Sequence, residues 1–245
     1  MDNLLKQYHL LNDKEQNAIL VYKSSMGMLI NKINKYLLDT SDAAQVLQNP
    51  SLVEEARDCY EEFLEFYHTD PILKHTLLKN INMKSISTFI MSLIDISYTL
   101  DECADKIKTD QRMRLYRLVS YNDTYEDIAE SEFVSTTGDI NVCNAFMKAD
   151  QNYILYEFDV DDNTPVMVCP YSIKAHYDSF FDYMLNHKPK SISIKEGDSQ
   201  KEVILYKSRC NYDIMGEETI DKDGFHLKRI RVKVRNKKLE EVKYY

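Results

Sequence analysis

The sequence has few glycines and no closely spaced cysteines, and both shortages restrict its chemistry. Five glycines occur in 245 residues, and none of them belongs to a G-x-G-x-x-G run, so a Rossmann-type dinucleotide site is excluded. The five cysteines are widely separated and form no C-x-x-C pair, which argues against a zinc or thiol-redox motif. We therefore expect reduced thiols in a reducing compartment and no bound metal.

The chain also lacks an excess of positive charge and a long apolar run. Its formal net charge is -9 at pH 7, which opposes broad association with nucleic acid or anionic membranes. No apolar stretch reaches the ~20 residues that span a bilayer, and the opening MDNLLKQYHLLNDKE is unlike a secretory signal. The composition predicts a cytoplasmic protein, intracellular or delivered into a host cytoplasm, with neither membrane nor nucleic acid as a partner.

Helical spacing dominates residues 1–108. Apolar side chains recur there at intervals of three and four, which is the pattern of a helix with one buried face. Helix starts are predicted at Asp42 and at Pro71, because aspartate suits the N-cap position and proline suits the first helical turn. One of the apolar series consists of Leu52, Ala56, Cys59 and Phe63. We expect this half of the chain to be almost entirely helical.

Strand spacing begins near residue 113. Apolar and charged side chains alternate most clearly over residues 156–160 and 230–235. The turn signal at 223–224 predicts that the C-terminal stretch closes an antiparallel sheet, with its basic row at 229, 231, 233 and 235 on a solvated face that discourages edge pairing, rather than on a binding stripe. Residues 170–190 are predicted as a short helix or an ordered loop. The fold class is α+β, with a helical lobe at 1–108 and a β core at 109–245 in one integrated domain.

Three short segments of the second half combine an arginine, a hydroxyl run and a glutamate. Arg117 lies in the strand-like MRLYRLVS, and its guanidinium suits phosphate oxygens. Ser135 and Thr137 would share one strand face, where hydroxyls can orient a carboxylate or a sugar hydroxyl. Glu202 opens an apolar strand, and Gln200 precedes it by two residues. Singly, these features fit an ion pair, an ordinary strand and an exposed carboxylate; together they could hold a pyrophosphate and stabilise a sugar cation.

The order and spacing of these segments resemble the R, S-T-S and Q/E-x-E signature of the mono-ADP-ribosyltransferases. That family contains clostridial exoenzymes, actin-modifying binary toxins and T-even phage enzymes. The pair Ile30-Asn31 eight residues after Tyr22, and Ala145-Phe146 ahead of an apolar strand, also resemble the family. The resemblance therefore covers nearly the whole chain, and it implies a helical lobe packed on a mixed, mainly antiparallel two-sheet ADP-ribosyltransferase core.

The resemblance implies roles for individual residues. Arg117 would bind the phosphates of NAD, and Ser135 would support both the nicotinamide ribose and the glutamate. Glu202 would bond the ribose 2′-hydroxyl and stabilise the cationic transition state. Further candidates for contact with NAD are Tyr22, Asn31, Thr136 and Phe146, of which Phe146 would lie near the nicotinamide.

The implied activity is transfer of ADP-ribose from NAD, a consumed substrate, to a side chain of a host-cell protein by a toxin-like, phage or viral effector. Gln200 would help to select the acceptor, because the Q-x-E form resembles exoenzymes that modify asparagine. Residues 195–199 lack the aromatic that those exoenzymes present, so asparagine, glutamine and arginine all stay open as acceptors. The alternatives are an NAD glycohydrolase, in which water replaces the acceptor, and an inactive family member that serves as a protein-binding module.

Overall fold

The computed structural model describes residues 1–40, 42–120, 133–148, 151–176, 190–196, 202–222 and 225–237. Its contacts group these residues into two compact units. One unit contains Met1–Leu10, Ala104–Val168 and the described part of Gln200–Tyr244. The other contains Leu11–Cys103 and the described part of Cys169–Ser199. The domain boundary expected at residue 108 stays a prediction.

Helices fill the first half of the chain, as predicted. The side chain of Asp42 accepts a hydrogen bond from the backbone N–H of Ala44 at 2.8 Å, so Asp42 caps the start of α4. Asp70 caps α6, whose first residue is Pro71, so both predicted helix starts are confirmed. The helices are α1 (Asp2–His9), α2 (Asp13–Tyr22), α3 (Met26–Thr40), α4 (Ala43–Val46), α5 (Pro50–Thr69), α6 (Pro71–His75) and α7 (Ile86–Cys103), with α8 (Ile140–Phe146) later in the chain.

The helical unit is built around α7. Helices α2, α3 and α5 all pack against it, and apolar side chains such as Ile30, Phe63 and Phe89 are fully buried between them. The buried Asn17 connects α2 to the segment that follows α6, since its amide donates to the carbonyl oxygens of Thr76 and Leu77. Among the described residues, no helix combines the length and apolarity needed to cross a membrane.

Seven strands form one mixed sheet in the order β4-β7-β2-β1-β3-β9-β8. Every neighbouring pair is antiparallel except β3 and β9, which run parallel. A separate antiparallel pair, β5 and β6, belongs to the helical unit. The strands are β1 (Met113–Ser120), β2 (Phe133–Thr137), β3 (Asn152–Val160), β4 (Val166–Val168), β5 (Tyr171–His176), β6 (Ser191–Glu196), β7 (Glu202–Tyr206), β8 (Cys210–Lys222) and β9 (Phe225–Asn236).

Two expectations for the second half were wrong. The segment at 171–176 is strand β5, not a helix or loop, and the rest of that segment up to residue 189 lies outside the described residues. The C-terminal hairpin is present, because β8 and β9 pair antiparallel, although the turn signal at 223–224 is outside the described residues. However, β9 lies between β3 and β8, so its basic row cannot protect a sheet edge. The row does lie on a partly exposed face, with Arg231 and Arg235 exposed, and ion pairs form on that face.

Acidic side chains of β3 and β8 balance the basic row. Glu157, only 6% exposed, lies between Arg114 and Arg229 and forms an ion pair with each. Further along β9, Lys233 pairs with Asp161, and the last basic position of the row pairs with an aspartate of β8. Three of the four basic positions of the row therefore have acidic partners among the described residues, which weighs against a binding stripe.

Candidate active site

Strands β2 and β7 bring Ser135 and Glu202 together. In their antiparallel register Ser135 lies opposite Ile204 and Thr137 lies opposite Glu202, so Ser135 and Glu202 are diagonal neighbours on one face. The Ser135 hydroxyl donates a hydrogen bond to Oε1 of Glu202. Glu202 is the first residue of β7, and the other four residues of that strand are completely buried. Both the strand and the bond from Ser135 therefore fix the position of the carboxylate.

The Thr136 hydroxyl makes a hydrogen bond inside the sheet, and its predicted contact with NAD stays a prediction. The Thr136 side chain is 4% exposed, and its hydroxyl donates to the carbonyl oxygen of Val203 on β7. Adjacent residues of a strand point to opposite faces, which is why two neighbouring hydroxyls serve different purposes. Ser135 orients the carboxylate, whereas Thr136 fastens β2 to β7 beside it.

Arg117 projects from β1 and has no acidic partner among the described residues. One of its terminal nitrogens donates to the backbone carbonyl oxygen of Ser135 at 3.0 Å. Its Nε is buried, and within the described part of the chain nothing accepts its hydrogen bond. In contrast, Arg112, Arg114 and Arg229 all pair with carboxylates of the sheet. A guanidinium that is held in place and still has N–H groups without acceptors can donate hydrogen bonds to phosphate oxygens.

Phe146 is the last residue of α8 and is 61% exposed. The hydroxyl run leads directly into this helix, since Thr137 Oγ1 accepts the N–H of Asp139 at 3.1 Å and Asp139 caps the first turn. Cys143, in the middle of α8, is buried, and burial raises the pKa of its thiol. The structure therefore links the serine strand to an exposed aromatic through a short capped helix.

Tyr22 and Asn31 lie in the helical unit and contact each other there. The amide nitrogen of Asn31 donates to the hydroxyl of Tyr22 at 3.2 Å, and Tyr22 is mostly buried. The turn between α2 and α3 requires Gly27, because a Cβ at that position would lie 2.1 Å from the carbonyl oxygen of Tyr22. Gln200 lies outside the described residues, so its placement beside Glu202 stays a prediction.

Two ionisable side chains near the turn between α2 and α3 have shifted pKa values that the sequence did not indicate. Burial lowers the pKa of Lys23, and the neighbouring Cys169 thiolate would oppose that shift. Burial raises the pKa of Glu62 to about 7, although a hydrogen bond from Ser25 acts in the opposite direction. The only sequence signal for Glu62 would have been its place on the partly buried side of α5. Among the described residues, no group of three or more histidine, cysteine or acidic side chains could hold a metal ion.

No protein-family model matches the chain, and no curated protein matches its sequence at a significant level. Solved structures do match. The C3 exoenzyme of Clostridium limosum superposes with a TM-score of 0.51 at 11% identity, covering 96% of this chain and 90% of that one. The chain has the fold of this exoenzyme. The predicted α+β ADP-ribosyltransferase core, mixed and mainly antiparallel, is thereby confirmed.

Two other solved structures resemble the chain more weakly. An ADP-ribosyltransferase of Clostridium botulinum has a TM-score of 0.39 at 16% identity and covers 94% of this chain and 92% of that one. The Vis toxin of Vibrio splendidus, also an ADP-ribosyltransferase, has a TM-score of 0.41 at 12% identity over 97% of this chain and 79% of that one. At such identities the likeness concerns the fold alone.

Proposed function

We propose that the protein is a mono-ADP-ribosyltransferase, which consumes NAD, releases nicotinamide and attaches ADP-ribose to a side chain of another protein. The observation that carries the proposal is the hydrogen bond from Ser135 to Glu202. A carboxylate held at a fixed position is what a reaction through a sugar cation needs, because it can stabilise positive charge as that charge develops. The fold shared with the C3 exoenzyme supports the same activity.

Arg117 is the residue proposed to hold the pyrophosphate. Its guanidinium carries charge at any physiological pH and offers a planar set of donors. One of its N–H groups donates to the Ser135 carbonyl oxygen. This bond fixes the position of the guanidinium, whose remaining N–H groups would bind phosphate oxygens. Through this bond and the bond from Ser135 to Glu202, strand β2 connects the arginine with the carboxylate.

Glu202 is proposed to bond the ribose 2′-hydroxyl and stabilise the cationic ribose. The glycosidic C1′–N bond breaks and its electron pair leaves with nicotinamide, which departs as a neutral molecule and needs no general acid. An acceptor atom of the target protein then forms the new bond at C1′ and loses its proton. Phe146 would lie against the nicotinamide, and Tyr22 and Asn31 stay further candidates for contact with NAD.

The acceptor is proposed to be an asparagine, glutamine or arginine side chain of a host-cell protein, with Gln200 among the residues that select it. A toxin-like effector of phage or viral origin that acts in a host cytoplasm fits this chemistry. NAD is the only cofactor proposed, as a consumed substrate, and no metal takes part.

The test is to incubate the protein with labelled NAD and host lysates, and to measure nicotinamide release and labelled protein in parallel. Wild type should yield both in equal amounts, and the modified residue should be mapped by mass spectrometry. Glu202→Gln, which keeps the size of the side chain and removes its charge, should yield neither. Nicotinamide release without labelled protein would assign an NAD glycohydrolase. A folded wild-type protein that neither binds NAD in calorimetry nor releases nicotinamide would leave only a binding module.

A further inference from the structure

Tyr153 is a buried tyrosine whose hydroxyl lies among the backbone groups that follow α8. Its side chain is 4% exposed. The hydroxyl accepts the N–H of Lys148 at 2.8 Å, and it lies 2.8 Å from Oε1 of Gln151 and 3.4 Å from the carbonyl oxygen of Phe146. A phenol has one proton to donate, so the hydroxyl donates to Gln151, its nearer acceptor. It accepts one hydrogen bond, from the Lys148 N–H.

Helix α8 packs on β1 and β2 but buries little of its own side-chain surface. It is seven residues long, which is too short to be stable without tertiary contacts. Asp139 caps its first turn, and Cys143 is its only fully buried side chain. At its other end the last carbonyl groups have no partners within the helix, and there the chain leaves α8 through Met147 in an extended conformation. Just beyond this end the Tyr153 hydroxyl accepts the N–H of Lys148, two residues after the helix.

The exposed ring of Phe146 depends on that end of the helix. A phenylalanine is normally buried, yet this one is 61% exposed on the last helical residue. Because most of this side chain faces solvent, the direction of the ring depends on the backbone on either side. That backbone is fastened by Asp139 at one end of α8 and by Tyr153 at the other.

We propose that Tyr153 is a positioning residue for Phe146, and that its hydroxyl holds the aromatic ring in the direction that receives nicotinamide. This inference rests on the proposed function, because it assigns Tyr153 a part in NAD recognition without contact with NAD. Tyr153 acts on binding of the dinucleotide, whereas the Ser135 and Glu202 pair on β2 and β7 acts on bond cleavage.

The variant Tyr153→Phe removes the hydroxyl and keeps the buried ring. The KM for NAD should rise about 3- to 10-fold while kcat stays within twofold. Tyr212→Phe is the matched control, since it removes a hydroxyl that donates to the Tyr206 carbonyl oxygen on β7; it should leave KM unchanged. Thermal unfolding followed by circular dichroism establishes that both variants are folded.

A double-mutant cycle with Phe146→Ala separates positioning from a general structural effect. If Tyr153 acts through the ring, then Tyr153→Phe should raise KM in the wild-type background and add nothing in the Phe146→Ala background. Equal increases in both backgrounds, or no increase in either, would overturn the proposal. Amide hydrogen exchange gives a second readout without substrate. The Lys148 N–H should exchange faster in Tyr153→Phe than in wild type, and unchanged exchange would also overturn it.

The same series distinguishes failure of this inference from failure of the proposed function. NAD cleavage by wild type that is lost in Glu202→Gln, combined with an unchanged KM in Tyr153→Phe, removes only the role of Tyr153. Absence of NAD cleavage and binding in wild type removes the proposed function, and the positioning role with it.

Discussion

The adjacent hydroxyls of Ser135 and Thr136 provide the sharpest test of the site, because they should separate activity from stability. Ser135 donates to the Glu202 carboxylate, and a hydrogen bond to a charged group is worth about 1.5–3 kcal/mol. If this bond stabilises the transition state, Ser135→Ala should lower kcat/KM roughly 10- to 150-fold, since about 1.4 kcal/mol corresponds to tenfold in rate. Its effect on folding should be small, because the position is only partly buried.

Thr136→Val should show the opposite behaviour. The substitution preserves shape but leaves the buried Val203 carbonyl oxygen without its hydroxyl donor, which costs about 1–3 kcal/mol of stability. In a chain of this size the midpoint of thermal unfolding should fall by roughly 2–10 °C. At a temperature where the variant remains folded, kcat/KM should stay within a few-fold of wild type.

Both variants are measured by nicotinamide release at several NAD concentrations and by calorimetric unfolding. The reasoning is refuted if Ser135→Ala retains full activity, because the serine would then not orient a carboxylate that takes part in the reaction. It is refuted equally if the two variants lose activity in the same proportion at a temperature where both are folded. That result would mean that the hydroxyl run supports β2 as a whole.

Three further substitutions have specific expected outcomes. Arg117→Lys keeps the charge but loses the planar set of donors, so the KM for NAD should rise about tenfold (~1.4 kcal/mol); Arg112→Lys on the ion-paired face should leave it unchanged, and equal effects would contradict the phosphate role. Glu62 has a folded-state pKa of about 7 against an ordinary 4.5, so its stabilising share is fully present below pH 4.5 and is lost as the pH rises through 7. Urea unfolding should therefore find Glu62→Gln more stable than wild type at pH 8 by an amount on the order of 2 kcal/mol, after allowance for partial exposure, and a difference that does not depend on pH would contradict this. Gly27→Ala should destabilise the protein by more than about 1 kcal/mol because of the backbone clash at 2.1 Å, whereas a Cβ at Gly216 meets its nearest neighbour at 3.4 Å and Gly216→Ala should leave the unfolding midpoint nearly unchanged.

The fold could be predicted from the sequence wherever the signal is local. Periodicity located the helical half, and the residues at Asp42 and Pro71 marked two helix starts because capping depends only on neighbouring backbone groups. Tyr171, Ile173 and Ala175 also alternate with polar neighbours, which is the local pattern of a strand and matches β5. Beyond the C-terminal hairpin, strand pairing could not be predicted, because β9 joins β3 across more than 60 intervening residues and nothing local specifies such a partner.

The residues of the candidate site could be predicted from the sequence, but the hydrogen-bond partner of each hydroxyl could not. The spacing of Ser135 and Thr137 placed them on one face, and the register with β7 accounts for the contact with Glu202. The sequence could not show that Thr136 bonds a backbone carbonyl on the other face, because that carbonyl lies 67 residues away. For the same reason it could not show that α1 packs on β4 in the sheet-containing unit.

The availability of Arg117 follows from the register between β1 and β3. Arg117 lies opposite Tyr156, whereas Tyr116 lies opposite Glu157 and Arg114 opposite Asp159. Directly opposed residues of an antiparallel pair share a face, so both carboxylates of β3 belong to the face that Arg117 does not occupy. A shift of one residue would exchange the faces, bring the guanidinium against Glu157 and commit it to an ion pair. The alternation of apolar and acidic residues in β3 therefore keeps Arg117 on the face away from Glu157 and Asp159, the two acids that pair with Arg112, Arg114 and Arg229.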